Sequence, residues 1–324
     1  GARGVKPRAA DGPRCRKRPC VYVYELPARM NVLALKVEPD WRQQHAGRKF
    51  DYRAPLLFHE ALLASPHRTA IHTEADWFYV PTWDFQGSWG NPEVYYRAAR
   101  YVTQLWPFWN TSGGADHLWA VARDAGACAT PWGSLNDEMG NSTLLLNWGG
   151  ATGLSGRPEE RCYSPFLDVV IPGALTHATA AKSPFWLPDS AQTALDENRR
   201  TTRLFFIGAL CWKIETRVHT PEALQAKCTR SFGAKSFLSR YSFGLRYKVF
   251  RLFSGQAGFR IYATDYPPSM PQGGKVDVDA EIMQSQYCLC PSGTGWGMRV
   301  FHSILLGCVP VITQHDGTHP RVAQ

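Results

Sequence analysis

Apolar runs of strand length recur along the chain and alternate with segments whose apolar residues have helical spacing. The runs predict buried strands, and the helical spacing predicts helices that cover a sheet. Strands are predicted at residues 20–25, 76–80, 115–121, 144–148, 168–171, 203–208, 258–264, 287–290 and 309–312. Helices are predicted at residues 55–64 and 92–108, after Arg246, and from Arg299 to Gly307. This alternation is typical of an α/β protein with mainly parallel sheets.

The stretch 287–313 combines a strand, a glycine-rich loop, a helix and a second strand. Pro291 cannot donate to a strand ladder and Gly293 admits left-handed backbone, so the first strand ends there. Ligands of open α/β sheets bind beyond the carboxyl ends of strands, where free N–H groups and Arg299 would suit a phosphate. The glycine spacing fits neither the P-loop nor the dinucleotide fingerprint. A glycine-rich turn before a packing helix is the alternative explanation.

The chain of 324 residues is long enough for two domains of ordinary size. Residues 1–19 are rich in Arg, Gly and Pro and predict a basic stem. Polar residues and Pro between 183 and 202 predict a linker. We therefore expect an N-terminal domain at 20–182 and a C-terminal domain at 203–324.

The net charge of +9 is spread along the chain, apart from the basic stem. A nucleic-acid-binding protein would show a basic stripe with readout elements, so no nucleic-acid partner is expected. Mild basicity suits an anionic substrate or a membrane surface equally well.

Nine cysteines and two glycosylation sequons, at Asn110 and Asn141, favour an oxidising lumen with disulfides and one thiol left over. The cysteine spacings give no zinc pattern. Candidate disulfides are Cys128–Cys162 and a pair joining Cys308 to either Cys288 or Cys290. The sequence contains no signal peptide and no run of eighteen apolar residues, so a membrane anchor is expected upstream.

Several segments resemble, in the right order, the exostosin-like glycosyltransferases of family 47. The similar segments are YVYELP at 22–27, EADWFYVP at 74–81, GGADH at 113–117, DVVIP at 168–172, CLCPSG at 288–293, WGMR at 296–299 and GCVPVI at 307–312. The resemblance covers roughly residues 20 to 313. The block at 295–299 is more similar to green-lineage members than to animal heparan polymerases.

The resemblance implies a GT-B fold, in which two Rossmann-like domains with mainly parallel sheets face a cleft. It implies an inverting transferase that moves a sugar from a UDP-sugar to a polysaccharide or glycoprotein glycan. Its expected location is the Golgi lumen, as a type II membrane protein. Because the family continues beyond the block at 307–312 with another strand and helices, the C-terminal domain is expected to be incomplete.

The expected partners are a UDP-sugar donor and a glycan acceptor, with another glycosyltransferase as a candidate hetero-oligomer partner. The UDP-sugar is a co-substrate, no further cofactor is expected, and no divalent metal is implied. Membrane contact is expected only through the upstream anchor.

By resemblance, Arg299 and Arg246 would face the diphosphate from two sides, and Trp296 could stack on the uracil ring. His302 stands where many GT-B enzymes place Asp or Glu to hold the ribose, and a neutral His can still accept a hydrogen bond. The predicted nucleotide-sugar site comprises Gly208, Arg246, Ser292, Gly293, Gly295, Trp296, Gly297, Arg299 and His302. The alternatives are a surface ion pair for Arg299, a solvated helix end for Arg246, a tight turn at Gly208, a helix-surface position for His302 and a core position for Trp296.

Inversion at a sugar carbon requires a general base on the acceptor hydroxyl. Asp116 and His117, at a turn expected beyond a strand of the first domain, are the predicted catalytic residues. The alternative is that the Asp of a Gly-Gly-x-Asp turn only closes the turn or caps a helix. Glu25 and Asp76 are further candidates for the base.

Two other functions stay open at this point. A non-catalytic family member or fragment would bind glycan or a partner transferase, which the His at position 302 favours. A phosphate-binding α/β enzyme unrelated to sugars would share the loop at 291–299 but not the ordered family segments.

Overall fold

The computed structural model contains two parallel sheets, one in each half of the chain. It describes residues 12–31, 53–83, 93–122, 127, 139, 141–147, 163–186, 200–211, 217–233, 241–293 and 297–313. The last strand of the first sheet ends at Val170 and the first strand of the second begins at Thr202. The mainly parallel α/β fold predicted from the sequence is therefore confirmed, whereas the exact domain limits stay a prediction.

The first sheet has six strands in the order β2-β1-β3-β4-β5-β6, and every neighbouring pair is parallel. Its strands are β1 (Val21–Val23), β2 (Arg68–Thr69), β3 (Trp77–Val80), β4 (His117–Val121), β5 (Thr143–Leu146) and β6 (Val169–Val170). Because all strands run the same way, their carboxyl ends form one edge, and loops after that edge are where a ligand would bind.

The described part of the first half of the chain has the helices α1 (Ala54–Leu63), α2 (Glu93–Leu105), α3 (Phe108–Ser112) and α4 (His177–Ala180). The amphipathic helix α2 buries Tyr95, Ala98, Ala99 and Val102, residues three or four apart that lie on one face. The helix predicted at 92–108 ends at Leu105 instead, and a separate helix begins at Phe108, because Pro107 lacks the N–H that would continue α2.

The second sheet has four parallel strands in the order β10-β9-β7-β8. They are β7 (Thr202–Gly208), β8 (Phe259–Ala263), β9 (Ser285–Pro291) and β10 (Val309–Thr313). The described helices of this half include α5 (Pro221–Gly233), α6 (Leu245–Phe253), α7 (Val278–Met283) and α8 (Arg299–Leu305). Short 3-10 turns lie at Ala28–Met30, His72–Glu74, Pro184–Trp186, Tyr241–Gly244 and Pro267–Ser269.

Both ends of the predicted linker are held against the second half of the chain. The Ser183 hydroxyl donates to the Leu305 carbonyl over 2.7 Å. The buried Arg200 donates to the carbonyls of Ser285 over 2.7 Å and Leu306 over 3.4 Å. These carbonyls include the last ones of α8, which no residue of the same helix can satisfy.

Three disulfides join described cysteines: Cys15–Cys20, Cys211–Cys228 and Cys288–Cys308. Of the two alternatives for Cys308, the structure selects Cys288, and it leaves Cys290 as a buried free thiol. The predicted pair Cys128–Cys162 lies outside the described residues.

Candidate functional site

Residues of the predicted nucleotide-sugar site meet at the carboxyl ends of β7 and β9. Gly208 is the last residue of β7, and Ser292 and Gly293 directly follow β9. Arg246 lies in the first turn of α6, and Arg299 is the first residue of α8. Gly297 lies just before α8, whereas Gly295 and Trp296 lie outside the described residues.

Arg246 is buried between the ends of the two strands. Its Nη1 atom donates to the Ala209 carbonyl over 3.1 Å, and its Nη2 atom donates to the Ser292 carbonyl over 2.9 Å. Further bonds run from Nε to Ser292 and from Nη2 to Pro291. The guanidinium therefore ties the loop after β7 to the loop after β9 and is oriented by both.

Arg299 approaches the same place from α8. Its Nη2 atom donates to the Ile207 carbonyl, and its guanidinium carbon lies 4.9 Å from the centre of the Phe206 ring. The Arg246 guanidinium lies 5.7 Å from the same ring. Two cations from different helices thus converge on one aromatic side chain, an arrangement that a cation–π attraction favours.

Gly208 is matched to this arrangement. A Cβ atom on Gly208 would lie 2.7 Å from Nη2 of Arg299, closer than a carbon and a nitrogen can come. The absence of a side chain at Gly208 therefore leaves the space that the guanidinium fills. This close approach, and not only a tight turn, accounts for glycine at the end of β7.

A pocket of about 290 Å³ opens beside Arg299. Its walls come from β7, β9, α7, α8 and the segment around α4. The apolar part includes Phe205, Leu289, Val278 and Ile282, and the polar part includes Thr179, Arg299, His302 and Ser303. A mostly apolar pocket with a few polar groups, Arg299 among them, suits a small organic ligand that also carries negative charge.

His302 lies on the wall of this pocket, one turn after Arg299. Its Nε2 atom lies 2.7 Å from Oδ1 of Asp279 on α7. The other carboxylate oxygen of Asp279 accepts from Nζ of Lys182 over 2.7 Å and lies 3.5 Å from Oγ1 of Thr179. Asp279 was not among the sequence-predicted residues, and it joins the pocket to the segment that leaves the first sheet.

Burial and charge act in opposite directions on this cluster. Burial lowers the pKa of His302 below its ordinary value, although Asp279 partly opposes that shift. For Asp279, burial raises the pKa, but the hydrogen bonds from Lys182 and His302 outweigh it, so the pKa is lowered overall. At neutral pH the cluster therefore holds a neutral imidazole and an ionised carboxylate.

Asp277 and Asp279 form an Asp-x-Asp sequence, a spacing that could hold a divalent cation through oxygen ligands although the resemblance implied no metal. In the structure the Asp277 carboxylate caps α7 by accepting from the Ala280 N–H, while Asp279 binds His302 and Lys182. Within the described ranges, no group of three His, Cys, Asp or Glu side chains could hold a metal.

Ser242, four residues before Arg246, has a strained backbone conformation. Its φ angle of 51° is left-handed, a conformation that non-glycine residues adopt at a cost. Its N–H donates to the Gly293 carbonyl over 3.2 Å, and its buried hydroxyl has no hydrogen-bond partner among the residues that the structure describes. The turn before α6 is thereby held against the loop that follows β9.

Asp265 stabilises the loop after β7 through buried hydrogen bonds. This fully buried carboxylate, which follows β8, accepts from the N–H groups of Leu210 and Cys211 over 2.9 and 3.2 Å. It also pairs with Lys227 at 3.0 Å. The sequence offered no signal for this role, because a lone Asp after a strand is equally common in plain turns.

The predicted catalytic residues Asp116 and His117 lie elsewhere. The turn was expected beyond a strand, but His117 begins β4, so both residues lie at the amino edge of the first sheet. His117 is fully buried. Its Nδ1 atom lies 2.7 Å from Asp116, and its Nε2 atom lies 2.8 Å from the Tyr24 hydroxyl.

These contacts satisfy both ring nitrogens of His117 with protein groups. Burial lowers its pKa, partly opposed by Asp116, and so favours the neutral ring. A neutral ring donates from Nδ1 to the carboxylate and accepts the Tyr24 O–H at Nε2. The geometry supports a structural network in the core and gives no support to proton transfer from a substrate.

The other predicted residues are spread over the first sheet. Asp76 precedes β3 at the same amino edge, where it pairs with Arg18 and accepts from the Cys20 N–H. Glu25 is exposed and lies two residues after β1, at the carboxyl edge. Asn110 on α3 and Asn141 before β5 are both exposed, as a glycosylation acceptor must be. None of the helices in the described segments has the length and apolar character to cross a bilayer.

The chain belongs to the Exostosin GT47 domain family, whose model matches residues 15–323. The family assignment made from the ordered sequence segments is therefore confirmed.

Curated relatives come from plants. The chain is 28% identical over 310 residues to a probable glucuronosyltransferase of Oryza sativa subsp. japonica, covering 91% of this chain and 63% of that protein. It is 28% identical to a probable glucuronoxylan glucuronosyltransferase of Arabidopsis thaliana, with coverages of 90% and 55%. It is 27% identical to a probable beta-1,4-xylosyltransferase of the same plant, with coverages of 91% and 63%. The chain thus spans less than two thirds of the length of these relatives.

Proposed function

We propose that the chain is the core of an inverting glycosyltransferase that transfers a sugar from a UDP-sugar to a polysaccharide or glycoprotein glycan. The observation that carries the proposal is the convergence of Arg246 and Arg299 at the carboxyl ends of β7 and β9. Family membership and the transferase names of the plant relatives support it. Those names also make glucuronic acid and xylose the first donor sugars to test.

The two guanidinium groups would bind the diphosphate of the donor. Arg299 would bind phosphate oxygens through its planar guanidinium, with bonds stronger than those between neutral groups. Arg246 already donates four hydrogen bonds to backbone carbonyls, so it would act mainly through its charge. Both arginines are held by backbone carbonyls, so they are oriented before the ligand arrives. During transfer, negative charge grows on the departing diphosphate, and fixed positive groups would stabilise that charge.

The apolar pocket would receive the nucleoside part of the donor. It adjoins Arg299, so a ligand with phosphates on the guanidinium would extend its ring system towards Phe205, Val278 and Leu289. Stacking and apolar contacts would then supply binding energy, while His302 on the pocket wall supplies a polar contact.

The acceptor would bind at the carboxyl edge of the first sheet, where the general base is required. Of the four acidic or basic candidates considered, Asp116, His117 and Asp76 lie at the opposite edge. Glu25 is the one at the carboxyl edge, and it is exposed. Glu25 is therefore our proposed base.

We also propose that the protein works in the Golgi lumen, attached by an N-terminal anchor. Support comes from three disulfides among the described cysteines and from two exposed sequon asparagines. Disulfides persist in oxidising compartments, and sequons are glycosylated only in the secretory pathway. A second glycosyltransferase as a bound partner is part of the same proposal.

The test is UDP binding by calorimetry, followed by a panel of UDP-sugars assayed for transfer and for hydrolysis to UDP. Arg299→Ala should weaken UDP binding about tenfold or more, because charged hydrogen bonds contribute about 1.5–3 kcal/mol each. Arg299→Lys should recover only part, since the planar fork is lost. Arg251→Ala, which removes an exposed cation on α6, is the matched control and should bind as the parent does.

The results distinguish an active transferase from a non-catalytic family member and test the donor site itself. UDP binding that is lost with Arg299 supports the donor site, and transfer of glucuronic acid or xylose identifies the donor. Binding of UDP and glycan without any transfer would favour the non-catalytic member. A parent chain that binds no UDP, or an Arg299→Ala variant that binds it equally well, would overturn the site assignment.

A further inference from the structure

One carboxylate, that of Asp279, connects the pocket to the segment that leaves the first sheet. Its Oδ1 atom lies 2.7 Å from Nε2 of His302. Its Oδ2 atom lies 2.7 Å from Nζ of Lys182 and 3.5 Å from the Thr179 hydroxyl. The side chain of Asp279 is only 15% exposed, so these contacts replace most of its water.

The contact with Asp279 fixes which nitrogen of His302 carries the proton. An ionised carboxylate can only accept hydrogen bonds, so Nε2 must be the donor. A neutral imidazole has one N–H, so Nδ1 then carries a lone pair and can only accept. Within the part of the chain that the structure describes, no hydrogen bond to Nδ1 of His302 is formed.

The position of His302 indicates what this lone pair would accept from. Arg299 and His302 are three residues apart on α8, and side chains at that spacing are neighbours on one face of a helix. Both line the same pocket. In a nucleoside diphosphate the ribose is bonded directly to the phosphates. A ligand with its phosphates on Arg299 would therefore bring ribose hydroxyl groups, which are hydrogen-bond donors, next to His302.

We propose that Asp279 is a positioning residue, which orients His302 and fixes its Nδ1 atom as the acceptor for a ribose hydroxyl of the bound nucleotide. The proposal rests on the proposed function, because it requires a nucleotide in this pocket. Asp279 itself would not touch the ligand. Asp279 and His302 together would provide the ribose with one hydrogen-bond acceptor, which a single carboxylate could also provide.

Two other roles for Asp279 make different demands on the protein. As a purely structural ion pair with Lys182, it would affect stability and all ligands alike. As half of a metal-binding Asp-x-Asp pair, it would need Asp277 as its equal partner, and nucleotide binding would depend on a divalent cation. Asp277 caps α7, and Asn is an equally good cap, so Asp277→Asn removes its charge while keeping the helix start.

The experiment compares UDP with 2′-deoxy-UDP and 3′-deoxy-UDP, using calorimetry with and without a chelator. The parent should prefer UDP over at least one deoxy analogue by about two- to tenfold, as expected for one hydrogen bond. Asp279→Ala and His302→Ala should each abolish that preference while leaving the affinity for the deoxy analogue near that of the parent. The double variant should behave as either single variant, because both changes break the same chain of contacts.

Two matched controls keep the result specific. Lys182→Ala removes another partner of Asp279 but leaves the Asp279–His302 contact, and it should keep the preference. Asp277→Asn should keep it as well. Thermal unfolding of every variant identifies any that fail to fold.

The outcomes separate this proposal from the proposed function. If the parent binds no UDP, the donor site is wrong and this proposal fails with it. If UDP binds through Arg299 but Asp279→Ala keeps the parent's preference for UDP, only the positioning role is overturned. The same conclusion follows if the parent does not discriminate between the nucleotides. A cation requirement that both Asp277→Asn and Asp279→Ala remove would replace the positioning role with a metal site.

Discussion

Gly208 and Arg299 occupy adjoining space at the carboxyl end of the second sheet, 91 positions apart in the chain. A Cβ atom at Gly208 would lie 2.7 Å from Nη2 of Arg299, and that nitrogen donates to the carbonyl of Ile207, the residue before the glycine. The end of β7 thus contacts the Arg299 guanidinium directly and fixes its position. Arg299 can occupy this position only because Gly208 has no side chain.

The first prediction follows from this contact. Gly208→Ala should move the Arg299 guanidinium away from the Ile207 carbonyl and weaken UDP binding several-fold, measured by calorimetry. The variant should still fold, because the atom in the way is the end of a flexible side chain and Gly208 does not need left-handed backbone. Gly255→Ala is the control, since a Cβ there meets nothing within 4 Å. Unchanged UDP affinity in Gly208→Ala would show that the guanidinium position does not matter for the ligand.

The second prediction concerns the buried network in the first sheet. Tyr24→Phe should lower the free energy of unfolding by about 1–3 kcal/mol, because Nε2 of the fully buried His117 would lose its partner. Urea denaturation measures the change. The turnover of any active protein should be unaffected once folded, since this network lies at the amino edge of the sheet.

Tyr22→Phe is the matched control for Tyr24→Phe. It removes the same hydroxyl group two residues earlier, from a half-buried ring that packs against Tyr24. We expect a change of less than about 0.5 kcal/mol. Equal destabilisation by the two substitutions would mean that the Tyr24–His117 hydrogen bond contributes nothing of its own.

Much of the fold could be predicted because its signals are local. The apolar runs before Gly208 and Pro291 are long enough to identify β7 and β9, and parallel sheets place their carboxyl ends together. Gly208, Arg246 and Arg299 therefore meet as expected. The two-residue strand β2 was not predicted, because a pair of residues, Arg68 and Thr69, carries no periodic pattern.

The contact that the sequence could not predict depends on packing between residues far apart in the chain. Asp279 contacts His302 from another helix, 23 positions away, and no local pattern marks such a pair. The position of the turn at Asp116 is a different case: it was expected beyond a strand, but it precedes β4, which begins at His117. The apolar run after His117 was visible in the sequence and could have indicated the amino edge.

The last prediction is that stability falls as the pH drops from about 6.5 to 5. Burial lowers the pKa of His59, His117 and His302 below the ordinary value of 6.5. Below pH 6.5 the unfolded chain therefore binds protons that the folded protein does not, which favours unfolding. The stabilisation is fully present above pH 6.5 and is lost as the pH falls towards the lowered pKa values. Each histidine can contribute at most about 1.4 kcal/mol per pH unit.

Urea denaturation at several pH values between 5 and 7.5 measures this slope, in a range above the ordinary carboxylate pKa values of about 4. His302→Gln should make the slope smaller, because Gln does not titrate and one of the three histidines is removed. His177→Gln, at an exposed position on α4, should leave the slope unchanged. A parent chain whose stability is flat or rises as the pH falls through this range would contradict the neutral state of the buried histidines. The Asp279–His302 arrangement would then have to be reconsidered, because a protonated His302 would donate from both nitrogens and could not accept a hydroxyl hydrogen.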